Sequence, residues 1–265
     1  MIKTIIHNKS TRLFLILAGF FIANALIAEV IGVKIFSLED TLGVKRANIP
    51  LFGGHFSFHL TAGVLLWPVV FVMTDIINEY YGPKGVRFLS FLTIGLIAFS
   101  FIVYNAAIAL SPSEYFSIGN GITEPNSAFK GIFGQGLWII IGSIVAFLVG
   151  QVLDVLVFHR IKKITGEKNI WLRATGSTLV SQLVDSFVVL FIAFYVGKRI
   201  QQGQGDAWSM AQVATTGTGN YIYKFVVAII MTPVIYFVHY LIENYLGAKD
   251  AAVMKQAAMG DELLP

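Results

Sequence analysis

Three aspartates lie inside apolar stretches of this 265-residue chain, each with an amide or hydroxyl at helical spacing from it. Trp67, Phe71, Asp75 and Asn78 are four, four and three residues apart. On an α-helix they share one face, with two aromatic planes leading to a carboxylate and an amide. Ser143, Phe147, Gln151 and Asp154 repeat the arrangement, as do Thr178, Gln182 and Asp185. The last two sets share Gln-x-x-Asp, an amide and a carboxylate one turn apart, in consecutive helices expected to face each other across a cavity. Asn24 lies in the middle of another apolar stretch, and Lys224, between Tyr221, Tyr223 and more apolar residues, is expected to counter one of the aspartates. Glu29 is five residues from Asn24, roughly 140° around a helix, and is expected off that face.

A charge at mid-bilayer costs about 2.5 to 3.5 kcal/mol on insertion scales, so each such residue needs a partner or a wet cavity. Asp185 is the most demanding, roughly 11 residues or ~16 Å deep by helical rise. Polar groups between helices also act as glue, which suffices for Asn24, Asn105 or Ser143 taken singly. Three same-face aspartates with amides and aromatics instead favour a binding cavity for a small polar solute. Other motifs carry less. His55 and His59 have helical spacing but lack the glutamate of a zinc-protease helix and adjoin glycines. Gly203-Gln-Gly-Asp206 spells the GxGD of intramembrane aspartyl proteases, yet in a polar, glycine-rich connection. There is no Walker A sequence, nucleophile elbow or HExxH, and no cysteine for disulfides, thiolate metal sites or nucleophiles. No catalysis, cofactor or metal is expected.

The elements that must hold these residues are membrane helices. Hydrophobic residues make up 56% of the chain and charged ones 13%, with a mean hydropathy of +0.73. A soluble domain carries about 25% charged residues. At about 20 residues per crossing, six helices are expected: Leu13 to Val33, Thr61 to Tyr81, Phe88 to Leu110, Ile132 to Phe158, Ala174 to Val196 and Tyr221 to Leu246. Gly82-Pro83-Lys84-Gly85, Ser111-Pro112-Ser113 and Gln201 to Asp206 read as connections. The first stretch resembles a cleavable leader around Ala23-Asn24-Ala25, but it runs on to Val33 and is taken as a span. Residues 1–248 are expected to form one all-α transmembrane domain and 249–265 a frayed polar tail. The 34–60 loop has period-two aromatics around Gly53-Gly54, suggesting a hairpin or lid. Cations concentrate at both termini, at Lys84 and Arg87, and between Arg160 and Arg173, which places both termini in the cytoplasm. The net charge of +4 is this asymmetry between loops, without the basic stripe of a nucleic-acid binder.

Taken together, the run from Trp67-Pro68 through Phe71, Thr74-Asp75 and Asn78-Glu79-Tyr80-Tyr81-Gly82, then Gly150-Gln151, Asp154 and Phe158, then Ser177-Thr178, Asp185-Ser186 and Tyr223-Lys224, resembles the queuosine precursor transporters of the vitamin uptake transporter family. The resemblance extends from Asn24 to about Tyr245, and its specificity lies in the combination of motifs. It implies a multi-pass inner-membrane importer of 7-cyano-7-deazaguanine or 7-aminomethyl-7-deazaguanine, bases used in tRNA modification. It also implies a six-helix fold similar to the substrate-binding components of energy-coupling-factor transporters.

The chemistry of the residues agrees. A deazaguanine presents N1–H and a 2-amino group to a carboxylate, its O6 accepts from an amide, and its bicycle stacks on an aromatic ring. The expected site is therefore Gln182 and Asp185 for the base edge, Asp75, Gln151 and Asp154 as a second wall, Trp67 or Phe71 for stacking, Lys224 as organiser, and Asn24. The substrate and the bilayer are the expected partners, with a homodimer left open and nucleic acid not expected. Two alternatives stand. One is a substrate-capture component of an ATP-driven vitamin importer. The other is an intramembrane aspartyl enzyme, which needs two aspartates within reach of each other where a base site would keep them apart.

Overall fold

A computed structural model describes residues 8–51, 54–119, 121–134, 136–166, 169–202 and 207–260. The chain is mostly helical, and five of the described helical stretches are long and apolar enough to cross a membrane. Helix α1, Lys9–Ile31, begins where the Asn8 side chain accepts from the Thr11 N–H at 3.1 Å. It buries Leu13, Leu17, Phe21, Ala25 and Ala28, while Leu15, Ile16, Phe20 and Ile27 face outward at half exposure or more. A helix apolar on its packed and its outer face alike belongs in lipid.

The loop expected after α1 is ordered. Strand β1, Ile35–Ser37, leads into the short helix α2, Leu38–Leu42, and then to the hairpin of β2, Ile49–Leu51, and β3, Gly54–Phe56. Strand β4, His59–Thr61, returns antiparallel to β1 with Phe36 opposite Leu60. The expected hairpin is present, with Ile49 opposite Phe56. Buried Glu39 ties this strap together, accepting from the Phe58 N–H at 2.8 Å, the Ala47 N–H at 3.3 Å and the Ser37 hydroxyl at 3.3 Å. Burial disfavours its charge, but these donors outweigh that and hold the carboxyl below the usual range. The strap ends at Gly63, where a Cβ would come within 2.8 Å of the Ala28 carbonyl of α1 and 3.5 Å of Trp67 Nε1. Glycine thus lets the chain press on α1 just before Trp67 opens the next helix.

Helix α3 spans Trp67–Ala109, joining the expected second and third crossings into one 43-residue element. Unbroken, it would be about 65 Å long, roughly twice the hydrocarbon thickness. It is broken at Gly82, whose φ of 68° and ψ of −176° lie in a region open essentially to glycine. Pro83 follows, where its fixed φ and missing N–H suit a helix start. The expected Gly82-Pro83-Lys84-Gly85 turn is therefore a one-residue break, because the backbone on either side stays helical.

After the short helix α4, Pro125–Phe133, come α5, Leu137–Thr165, and α6, Ile170–Leu190. A π-helical stretch, Phe191–Gly197, and α7, Lys198–Gln202, extend α6. The GxGD segment at 203–206 and the loop tip at 52–53 lie outside the described residues. Helix α8, Met210–Leu246, starts eleven residues before the expected Tyr221. Its first turns are small and polar and lack a hydropathy signal, but a Ser209–Gln212 capping box starts them. Gly217 then lets the Phe187 ring of α6 lie against α8, where a Cβ would stand 2.7 Å from it. The expected frayed tail is a helix from Ala248 to Gly260, α9, packed on α3 with Ala251, Lys255 and Ala258 buried. Ala251 and Ala258, two turns apart, leave room for that close approach.

Because the Glu39 carboxyl is held below its ordinary value of 4.5, its contribution is complete above that pH and is lost as the pH falls beneath it. Hydrogen exchange at the Phe58 and Ala47 amides, corrected for intrinsic rate, should be slow at neutral pH and fast below about pH 4. Glu39→Gln should exchange fast at both.

Candidate functional site: a pocket between three helices

The break at Gly82 sits one turn beyond a cluster of fully buried charges. Glu79 on α3 receives Arg173 of α6 through two hydrogen bonds, Nε at 3.0 Å and Nη2 at 2.7 Å. Lys162 of α5 adds an ion pair at 3.1 Å. All three side chains are at most 1% exposed. Around them Asn78 bonds to His159 at 2.8 Å, Tyr80 to His239 at 3.1 Å, and Lys255 to Glu243 at 2.5 Å, linking α3, α5, α8 and α9 at one level. Lys162 and Arg173 belong in the sequence to the cation-rich 160–173 connection, but in the structure they neutralise Glu79 inside the bundle. In the sequence Glu79 stands only within the run Asn78-Glu79-Tyr80-Tyr81-Gly82, with no site role expected of it.

Above this cluster a pocket opens between α3, α6 and α8. Trp67, Phe71 and Asp75 line it from α3, Thr175, Thr178 and Gln182 from α6, and Tyr223 and Lys224 from α8. Asp75 is 2% exposed and Gln182 2%. Asp75 Oδ1 and both polar atoms of the Gln182 amide have no hydrogen-bond partner within the protein, a costly state for buried groups. The Trp67 and Phe71 rings stack with centroids 6.1 Å apart, and Phe147 of α5 supports Trp67 from behind at 5.9 Å.

Five of the nine expected site residues thus line one pocket: Trp67, Phe71, Asp75, Gln182 and Lys224. The other four do not line it. Asp185 forms an ion pair with Lys224, the expected partnership of a lysine with an aspartate, and is thereby engaged. Gln151 donates to Thr74 at 3.3 Å, and Asp154 accepts from Ser181 at 3.3 Å. Helices α5 and α6 do not face each other across a cavity. They pack directly, with Gly150 close enough that a Cβ would lie 3.8 Å from that of Asp185. The α5 stripe of Ser143, Phe147, Gln151 and Asp154 buttresses the site, its members touching Glu29, Trp67, Thr74 and Ser181 in turn. Asn24 donates to the Phe20 carbonyl of its own helix at 2.7 Å and is not brought to the pocket. Glu29, set aside for pointing away from Asn24, is the α1 residue that reaches inward, to Ser143 at 2.5 Å.

Ser177 lies beside both Asp75 and Asp154, so these two carboxyls are neighbours rather than kept apart as a base site was expected to require. Ser177 and Ser181 are not among the expected site residues, although their spacing of four, which puts them on one face of a helix, is legible.

The sequence matches the family of vitamin uptake transporters over residues 61–238. A probable queuosine precursor transporter of Bacillus subtilis is 31% identical over 193 residues, 71% of this chain and 76% of the relative. One from Haemophilus influenzae is 27% identical over 66% of each chain, and the queuosine precursor transporter of Escherichia coli is 29% identical over 52% of this chain and 57% of its own. No solved structure gives a significant match.

Glu79→Ala would strand Arg173 and Lys162 in the bundle, and losing one partner of a buried ion pair costs about 3 to 5 kcal/mol. Thermal unfolding in detergent should show a large drop in midpoint. At the mouth, Asp185→Asn should lower the midpoint by leaving Lys224 uncompensated. The double change Asp185→Asn with Lys224→Met should recover part of the loss, a coupling read from the same melts.

Proposed function

The chain belongs to the vitamin uptake transporter family, and on that premise we propose that it carries queuosine-precursor bases, 7-cyano-7-deazaguanine or 7-aminomethyl-7-deazaguanine, across the cell inner membrane by alternating access. The observation carrying this reading is the pairing of unsatisfied groups in the pocket. A buried carboxylate oxygen of Asp75 and an amide of Gln182 with donor and acceptor both free face the same space beside Trp67. That set complements a guanine-like edge: Asp75 accepts from N1–H and the 2-amino group, Gln182 donates to O6, and the bicycle lies on the indole. Stacking contributes about 1 to 3 kcal/mol per base in comparable sites. The base-edge role first given to Asp185 passes to Asp75, since Asp185 is occupied by Lys224. Gln151 and Asp154 support the wall from behind.

In this reading the two parts of α3 cross separately, so the five long stretches make six crossings, with both termini cytoplasmic. The likeness to energy-coupling-factor components remains part of the proposal, as does transport without a separate ATP-driven module. The adjacency of Asp75 and Asp154 is what a paired-aspartate enzyme would also need. Against that, Asp154 does not line the pocket, and the relatives are named as transporters.

Cells unable to make queuosine, fed either precursor and expressing this chain, should regain queuosine in their tRNA. Asp75→Ala and Gln182→Ala should each reduce uptake at least tenfold, the effect of about 1.4 kcal/mol, with membrane levels unchanged. Rescue by neither base would sink the substrate assignment, and full uptake by Asp75→Ala would sink the site.

A further inference from the structure

The charges in the core do not balance. Asp75, Asp154 and Glu79 are three carboxyls, each at most 2% exposed, and Arg173 and Lys162 are the two cations among them. Both cations bond to Glu79. Asp75 and Asp154 therefore lie side by side, each with an oxygen that has no partner in the protein. With the imidazoles of His159 and His239 neutral, these five groups fully ionised would hold one net negative charge, placed on two adjacent carboxylates away from water. Two carboxyls sharing a site resolve this by keeping one proton between them. The other ionisable groups near this core are already engaged: His159 with Asn78, His239 with Tyr80, Lys255 with Glu243, Lys224 with Asp185, and Glu29 with Ser143.

A metal cation fits less well than a proton. The α6 segment beside the pair is a regular helix and frees no backbone carbonyl. No group of three or more metal-ligating acids or histidines occurs among the described residues. A proton needs only two oxygens.

We propose that Asp154 holds the single proton of this cluster and thereby keeps Asp75 ionised to receive the base. The assignment follows from position. Asp75 lines the pocket and Asp154 does not, so a base that donates two hydrogens to Asp75 leaves the proton on Asp154. Asp154 is then a positioning residue that never touches the substrate. This role rests on the base-binding reading, but the proton itself does not.

The test combines infrared spectroscopy with binding of 7-cyano-7-deazaguanine by purified protein in nanodiscs at neutral pH. Without base, the wild type should show a carbonyl stretch from a protonated carboxylic acid, and this component should vanish in Asp154→Asn. The amide of that variant imitates the protonated acid, so it should keep most of the base affinity, whereas Asp75→Asn should lose at least tenfold. Absence of the band in the wild type, or its persistence in Asp154→Asn, would overturn the proposal. So would a loss of affinity in Asp154→Asn equal to that in Asp75→Asn. Should Asp154→Asn fail to insert, the wild-type band and its shift on binding base decide the matter: no band, or a band that does not move when base is bound, rejects it. A wild type that shows the band but binds no base refutes the transport reading and leaves the proton in place.

Discussion

A carboxylate with two cations inside a membrane bundle is the constraint around which this protein is organised. Glu79 is completely buried, and moving any charge from water into such a place is prohibitive unless it is met by opposite charge with good geometry. Arg173 meets it through two parallel hydrogen bonds and Lys162 from the side, so α3, α5 and α6 cannot separate without exposing bare charge to lipid. A bidentate guanidinium also fixes direction, and with it the rotation of α3 about its own axis. Asp75 lies one turn back along the same helix, and its orientation toward α6 follows from that lock.

The pocket is thus built by subtraction. Below it Asn78 bonds to His159 and Tyr80 to His239 across the helices. At its mouth Lys224 and Asp185 satisfy one another. Between these two levels one oxygen of Asp75 and the Gln182 amide are left without protein partners, where three helices diverge. Unsatisfied groups of this kind weaken a fold, and their position on the wall of a pocket fits a ligand that completes them. The α5 stripe contributes rigidity here, because Phe147 and Gln151 support Trp67 and Thr74 from outside the pocket.

Two local devices aim the lining. Gly82 interrupts α3 one turn past the charge cluster, so the segment bearing Trp67, Phe71 and Asp75 is set by its own contacts rather than by the course of the remaining helix. The strap from Ile35 to Thr61, fastened by Glu39, delivers the chain through Gly63 onto α1 and fixes where Trp67 begins.

The sequence by itself determined the solvent and the inventory. Hydropathy marked the long apolar stretches, and helical spacing placed Trp67, Phe71 and Asp75 on one face, because period and length are local properties that survive without knowing the neighbours. The same spacing put Gln182 with Asp185 and Gln151 with Asp154, and there it went no further. Which of two same-face carboxylates is spoken for depends on what the next helix presents. Only the tertiary structure decided that Lys224 takes Asp185, that α5 packs directly on α6 and turns its polar stripe into a buttress, and that Glu79 is a structural anchor. Partner choice among like groups is a property of helix packing, and one-dimensional spacing carries no information about it.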